Sequence, residues 1–564
     1  MTHNSLRLAL SVTALAIGAA ACSGDEPGEP VTYYQDVKPI VEKHCIGCHK
    51  PGGVGPFKLD SFDSVSTYAV PAATAMQSRA MPPWMPDPSC RKFMHERLMD
   101  DAEIDTFKRW VDGGRLEGDA TQANTHQAAT VAFEPTDVSK TPAYTPPVKT
   151  GDDYRCFILD LEFAKTMYMK ASQVMPGTGL VHHVLVYAIE KSQVAAIEKA
   201  DADEPGPGYT CFGGPLPKAS KGGSQTGNFT QSSATTLLPN QLGGWVPGMA
   251  PQVLDENVGV RILEGSKIVM QIHYSALGGD PVPDATEFQM VLTDVPPEKL
   301  RVTRPVAILD IPIPAGEQIT HTQEFKSYRS SDLVIRSVMG HMHLLGSKFS
   351  VQKVAADDQP NAADVCMLEI PKWDFNWQQT YVTPKDDAIV LKPGEKIRLS
   401  CSYDNTAPNQ PIVDGARVEP KSVKWGEGTL DEMCLLYIDT VEPYRDPPDP
   451  SAPPCAPAQS CVDSCADKGI DCLLSCEKAS DSCQLCTLTS LTKCAPLASC
   501  AAKLLAARSC LTSCGTQAIM LSGSLGMCLK AECKDQYDAL RACTDPLLSS
   551  GQCNTQLSSC GVTF

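Results

Sequence analysis

At 564 residues the chain is too long for one ordinary core and points to several domains. Its 42% hydrophobic content, few aromatics and 45 prolines fit a globular, loop-rich protein. The formal charge of −18, with no basic face to offset it, argues against nucleic acid as a partner.

The N-terminal stretch MTHNSLRLALSVTALAIGAAACSGDEPGEP reads as an export signal. One Arg precedes an apolar run too short to span a bilayer, and small residues lead into Cys22. Residues 1–21 thus resemble a bacterial lipoprotein signal, which implies a lipid anchor on Cys22 and an outer-membrane, periplasmic or cell-surface location. Ala19 stands where Leu is usual, and plain secretion with cleavage near Ala21 is the alternative. Export also accounts for the 25 cysteines, because disulfides form and persist outside the cytoplasm. Nine precede residue 450 and 16 follow it, so composition alone marks a boundary.

Residues 31–117 read as a small all-α domain. YYQDVKPIVEKHC has helix-period apolar positions, and DDAEIDTFKRWVDGG opens on acids and closes on Gly-Gly. Residues 118–150 form a Thr/Pro/Ala-rich linker. From 151 to 445 the pattern alternates, as in KIVMQIHYS, SDLVIRSVMGHMH and EKIRLSCSY, broken by Pro/Gly turns. That length of all-β sequence suits two sandwiches better than one. A Pro-rich linker at 446–458 leads to an Ala/Leu/Cys/Ser-rich helical module at 459–564.

CIGCH, Cys45 to His49, has the spacing of a covalent c-type haem attachment, with Cys45 and Cys48 bonded to the porphyrin and His49 on the iron. Residues 31–117 are then a cytochrome c domain. Zinc or redox chemistry is the alternative for a CxxC, weakened by the adjacent histidine and by the lack of a second CxxC nearby. A thioether completes the axial pair in many such sites. Met81, ahead of Pro-Pro in SRAMPPWMPDP, is the chosen distal ligand, with Met85 and Met94 as runners-up. His44 and His95 read as surface residues.

Five of the eleven histidines fall at suggestive places in the β region: His182 and His183 in LVHHVLVYA, His273 in VMQIHYSA, His341 and His343 in GHMHLLG. Met433 in LDEMCLLYI adds a thioether. Singly, each reads as strand or core filling. His341 and His343 share a strand face, about 7 Å apart along it. Neighbours such as His182 and His183 point to opposite faces, so both reach one ion only at an edge or a distortion. Imidazoles suit Zn, Cu, Fe and Ni, and a thioether favours Cu(I). No cluster of acids accompanies them, so copper is the best fit.

The order HH, HY, HxH, EMC resembles the copper type II, ascorbate-dependent monooxygenases, the family of peptidylglycine α-hydroxylating and dopamine β-monooxygenases. The resemblance implies two jelly-roll-like sandwiches, at 151–297 and 298–445, each carrying one copper across a cleft. His182, His183 and His273 would hold the electron-transfer copper, with Gln271 close by. His341, His343 and Met433 would hold the oxygen-binding copper, and Cys401 would bond Cys434. The implied reaction inserts one atom of O2 into a C–H bond and needs two electrons from outside, from a reductant or partner cytochrome. The haem domain, itself a one-electron carrier, could feed the coppers.

The pattern also departs from the family. The peptide-amidating enzyme grips its substrate carboxylate with an Arg, an Asn and a Tyr; the matching positions here hold Met339, Leu435 and Tyr437. Only the Tyr survives, which disfavours a peptide carboxylate and favours a small, weakly polar substrate. In the last module CVDSC, CLLSC and CLTSC place cysteines four apart on a helix face, enough in total for eight disulfides in a structural or attachment role. A non-catalytic haem and copper electron-transfer or copper-binding surface protein is the rival to an enzyme, and a dioxygen-independent copper reductase is a third reading.

Overall fold

The computed structural model describes residues 30–126, 134–147, 152–211, 214–217, 240–275 and 280–446, and parts of 453–562, with short gaps at 52, 54, 248, 360–361, 414–415 and 427–429. The export signal and Cys22 lie outside the described residues, as do parts of both linkers and of the last module.

The helical region carries α1 (Lys38–His44), α2 (Phe62–Thr67), α3 (Ala69–Gln77) and α4 (Asp101–Asp112). A π-turn at Tyr33–Val37 leads into α1, whose proline sits in the first turn, where its missing N–H costs nothing. Helix α4 begins on a capping box: the Asp100 carboxylate accepts from Glu103 N at 2.7 Å, and Glu103 answers to Asp100 N at 3.2 Å. It ends at Gly113, as the sequence predicts. Phe107 and Trp110 on α4 close a core with Tyr33, Val37, Val41, Val65 and Met99. His44 is not a surface residue: its ring is almost fully enclosed and pairs with Glu103 at 3.0 Å.

The first β region runs β1 (Asp137–Lys140), β2 (Asp152–Ile158), β3 (Met167–Met175), β4 (Val181–Ile189), β5 (Tyr209–Thr210), β6 (Asn240–Trp245), β7 (Gln252–Val253), β8 (Val258–Ile262), β9 (Lys267–Ser275) and β10 (Glu287–Thr293). The second runs β11 (Lys299–Ala307), β12 (Gln318–Lys326), β13 (Leu333–His341), β14 (Gly346–Val354), β15 (Val365–Ile370), β16 (Tyr381–Val382), β17 (Ile389–Leu391), β18 (Lys396–Asp404), β19 (Ile412–Val413), β20 (Ala416–Arg417) and β21 (Leu435–Pro443). A five-stranded sheet, β5-β2-β9-β4-β6, and a four-stranded one, β12-β18-β14-β15, flank a ten-stranded sheet that begins at β1 and ends at β16.

Two cores result, one around Val184, Met270, Ile272 and Phe288, the other around Val338, Phe349, Leu399 and Leu436. The sandwiches are not separate at residue 297, however. Strand β11 of the second pairs in parallel with β8 of the first, at Lys299 with Val258, so one sheet crosses the boundary. The 118–150 segment is likewise not all linker, because β1 pairs with β10 and Tyr144 bridges to Asp284.

The outer regions are joined to this frame. Trp84, Met85 and Phe93 of the helical region pack on the second core, and Cys90 bonds Cys366 on β15. Arg91 pairs with Asp387 at 2.8 Å. The last module is stapled by seven disulfides among the described residues, from Cys455–Cys483 to Cys514–Cys528. It docks on the second sandwich through Met520 and Leu521, and Tyr328 donates to Glu532 at 2.6 Å. The helix at Gln459–Asp463 stops before Cys465, so the CVDSC pair does not share a helix face; Cys465 bonds Cys472 instead. No helix among the described residues is long and apolar enough to cross a membrane.

Two candidate metal centres facing one loop

In the first sandwich, His273 sits on β9 and faces His183 on β4 across the ladder. Regular alternation would turn His182 to the other face. The register shifts between Val181 and His183, making His182 the extra residue of a β-bulge, and such a bulge re-aims a side chain. The two neighbouring histidines therefore reach the same point. Their Nδ1 atoms and that of His273 form a near-equilateral triangle with sides of 3.1, 3.2 and 3.2 Å. A side of about 3.2 Å divided by √3 gives a centre about 1.8 Å from each nitrogen, near the roughly 2.0 Å of a metal–imidazole bond. Three imidazole nitrogens this close cannot all be satisfied by one another, whereas one cation satisfies all three. Tyr154, opposite His273 on β2, stacks on its ring at 4.2 Å and 4°.

The second cluster sits where β13 ends. Alternation holds here: Val338 and Met342 point into the core, and Gly340 lies directly against the Phe349 ring, leaving His341 and His343 on the outer side. Their rings stand 5.1 Å apart at 86°. His341 Nδ1 donates to Gln378 Oε1 at 2.5 Å, and His343 Nδ1 donates to the Asp431 carbonyl at 3.0 Å. Both acceptors lack a proton to give, so each ring carries its hydrogen on Nδ1 and offers Nε2. Met433 comes from the segment before β21, whose neighbour Cys434 bonds Cys401 on β18. Tyr403 on β18 donates to the Met433 carbonyl at 2.8 Å.

Burial holds the His183 ring well below its usual pKa, reinforced by the neighbouring histidines. Burial, then His343, pushes His341 down to about 3. Both are therefore neutral near pH 7, the form in which imidazole binds a metal.

Glu432 is a residue that the sequence reading passed over. It is fully buried, and its carboxylate accepts from His343 N at 2.8 Å, Leu345 N at 2.6 Å and Met433 N at 3.3 Å. It thus clamps the loop bearing His343 to the segment bearing Met433. Its place in the EMC motif, directly before the thioether of Met433, was the available signal. Gln271 shares a strand face with His273, and its amide donates to the Cys211 carbonyl at 2.7 Å, next to the Cys156–Cys211 bond. Met339 and Tyr437 are direct partners on β13 and β21, and Leu435 lies opposite His341.

The CIGCH motif forms a turn after α1. Cys45 and Cys48 are the free cysteines among the described residues, in a chain whose other described cysteines are bonded. Burial pushes the Cys45 thiol up to about 12 and Cys48 above its usual range, so neither is poised as a redox thiolate. His49 Nδ1 donates to the Phe57 carbonyl at 2.9 Å, so the nitrogen outside this bond is Nε2. A Cβ on Gly55 would fall 2.6 Å from His49 Nδ1, so that glycine makes room for the ring. Met81 lies 37% exposed after α3, with no hydrogen bond or ring contact to His49 among the described residues. Met85 is committed elsewhere: its Sδ accepts from Asp374 N at 3.3 Å. Met94 is exposed.

Residues 310–447 match the family model described as copper type II ascorbate-dependent monooxygenase, C-terminal domain. The matched stretch holds β12 to β21, and with them His341, His343, Met433 and Tyr437. The match supports copper as the metal and an oxidoreductase of the monooxygenase kind; such chemistry calls for O2, a substrate and a reductant. The disulfides fit a protein of an oxidising compartment, outside the cytoplasm. No curated protein matches the chain. Solved structures with some similarity include the major capsid protein P2 of bacteriophage PM2, at 7% identity, 52% of this chain, 98% of that chain and a TM-score of 0.20. Another is the VP2 subviral particle of infectious bursal disease virus, at 10% identity, 57% of this chain, 84% of that chain and a TM-score of 0.13. Superpositions this loose carry no argument.

Proposed function

We propose that the chain is an exported, copper-dependent monooxygenase that hydroxylates a C–H bond of a small, weakly polar substrate, with electrons relayed from a c-type haem on Cys45, Cys48 and His49. The observation that carries the reading is the pair of imidazole clusters that present opposite ring nitrogens, three Nδ1 atoms at one and two Nε2 atoms at the other, with Met433 tied to the second through Glu432. Copper at these sites would supply dioxygen activation and electron transfer.

The protein's own groups hold the geometry. The bulge at His182 gathers the first set, while Glu432 and the Cys401–Cys434 bond fix the second. Met433 gives the second site a soft donor suited to the reduced ion that must meet oxygen. Met339, Tyr437 and Leu435 lie beside His341 on adjoining strands and present apolar surface and one phenol. A substrate carboxylate would find no cation among these three, which supports a neutral or weakly polar substrate. Two unpaired thiols and a histidine with Nε2 available fit a thioether-linked haem, with Met81 as its distal ligand. The helical region is joined to the second sandwich by the Cys90–Cys366 bond, which suits a relay.

Metal analysis of the purified protein tests the assignment, alongside Met433→Ala. Two coppers per chain with weakened binding in the variant are expected; fewer than two coppers and an indifferent variant would sink it. The relay is tested by reduced-haem absorbance, which should decay faster only when copper, O2 and substrate are all present.

A further inference from the structure

The segment between β15 and β16 reads DFNWQQ, residues 374–379. It touches both histidine clusters. Gln378 Oε1 accepts from His341 Nδ1 at 2.5 Å, and Asn376 Oδ1 accepts from His182 Nε2 at 3.2 Å. The Phe375 ring lies 6.4 Å from the His182 ring and 6.2 Å from that of His343, so one side chain spans the gap between the sites.

Neither amide is free to turn over. Gln378 Nε2 donates to the Phe375 carbonyl at 2.9 Å, and Asn376 Nδ2 donates to Asp374 Oδ1 at 3.0 Å. With the nitrogens so engaged, each amide presents its oxygen to a histidine. An amide oxygen only accepts, so it places the proton on Nδ1 of His341 and on Nε2 of His182. The opposite nitrogens, Nε2 and Nδ1, become the ligand atoms. One short segment thus imposes opposite tautomers at the two centres.

The segment is itself held from the helical region. Asp374 N donates to Met85 Sδ at 3.3 Å, and Gln379 Oε1 accepts from Arg97 at 2.6 Å. Arg97 also donates to the Pro247 carbonyl of the first sandwich at 3.2 Å.

We infer that Asn376 and Gln378 are positioning residues, one for each metal centre, carried on a single strap that the 85–97 segment anchors. The inference rests on the copper reading above but concerns residues outside both ligand sets. Loss of such a partner commonly weakens metal binding 10- to 100-fold. Gln378 is buried and Asn376 exposed, so the larger effect belongs to Gln378, and water moderates that of Asn376 to about tenfold or less.

The test is competition titration with copper alone on the full chain, reading each site in a background where the other is removed by His341→Ala or His183→Ala. Gln378→Leu should weaken the His341 site 10- to 100-fold and Asn376→Leu the His182 site by up to about tenfold. Gln378→Glu and Asn376→Asp keep an acceptor but lose the nitrogen that fixes it against the Phe375 carbonyl and Asp374, and should weaken binding less than the leucine variants do. Nitrogen-15 shifts of the imidazoles without metal give a second readout: His341 protonated on Nδ1 and His182 on Nε2, becoming mixtures in the leucine variants. If a leucine variant does not fold, Gln378→Met and Asn376→Ala serve in its place. Unchanged affinities and tautomers, or equal weakening by the acceptor-keeping variants, would overturn the positioning role while two coppers still bind the unsubstituted protein. Fewer than two coppers on the unsubstituted protein would instead refute the copper reading and this inference with it.

Discussion

Gly340→Ala makes the sharpest test of how the fold presents the second histidine pair. Gly340 is the residue before His341 and faces the core of the second sandwich. A Cβ built there falls 2.7 Å from two Phe349 ring carbons and 3.0 Å from a third. Those separations are well inside the roughly 3.5–4.0 Å optimum for carbon atoms, and the ring belongs to a fully buried residue packed on all sides. Phe349 cannot swing away without displacing its neighbours, so β13 must move outward and carry His341 with it. Inserting a methyl into such a core costs roughly 1–3 kcal/mol, and the upper half of that range fits two contacts at 2.7 Å. For a domain of this size 2 kcal/mol corresponds to a fall of roughly 4–8 °C in Tm. The assay is thermal and urea unfolding of Gly340→Ala, Phe349→Leu and the double variant, with copper stoichiometry on each. The double variant should recover about 1 kcal/mol relative to additivity, because the leucine vacates the space the methyl needs. An alanine variant within about 0.5 kcal/mol of the parent, or strict additivity, would refute the reasoning.

Glu432→Met should cost roughly 3 kcal/mol by leaving three backbone N–H groups of the ligand loops without their acceptor, and copper analysis should show the second site emptied first; Glu432→Gln should retain part of both. Removing the Cys90–Cys366 bond by Cys90→Ser with Cys366→Ser should destabilise by about 2–4 kcal/mol and speed proteolysis between the helical region and the sandwich, read on gels over time. Burial opposes ionisation of Glu442, but Arg304 at 2.7 Å and then Arg329 hold its pKa below the usual carboxylate value. The pair's stabilisation is therefore present above about pH 4.5 and lost as pH falls through the depressed folded value. Glu442→Gln should flatten that acid limb in urea titrations and cost roughly 3 kcal/mol at pH 7, since two guanidinium groups lose their partner.

The sequence by itself determined the kinds of element, the order of the site residues and the division into helical, β and cysteine-rich regions. Periodicity and capping chemistry are local, so α4 with its Asp100/Glu103 box and the alternating strands were legible. The GHMH pair was legible for the same reason, because side-chain alternation alone puts both histidines on the face away from Met342. His182 and His183 were half legible: adjacency demanded a distortion, and only the pairing of β4 with β9 revealed the bulge that supplies it. The Cys401–Cys434 bond followed from family resemblance and is formed.

Tertiary structure alone decided the rest. Residues 374–379 include no histidine, cysteine or methionine, and their meaning arises from where the chain lays them, against histidines that stand 194 and 37 residues earlier in sequence. Local pattern also gave no sign that β11 would join β8, or that Phe93 and Cys90 of the helical region would seal the second sandwich. Those are long-range contacts, selected by packing and by loop closure across hundreds of residues, and no short window of sequence contains them.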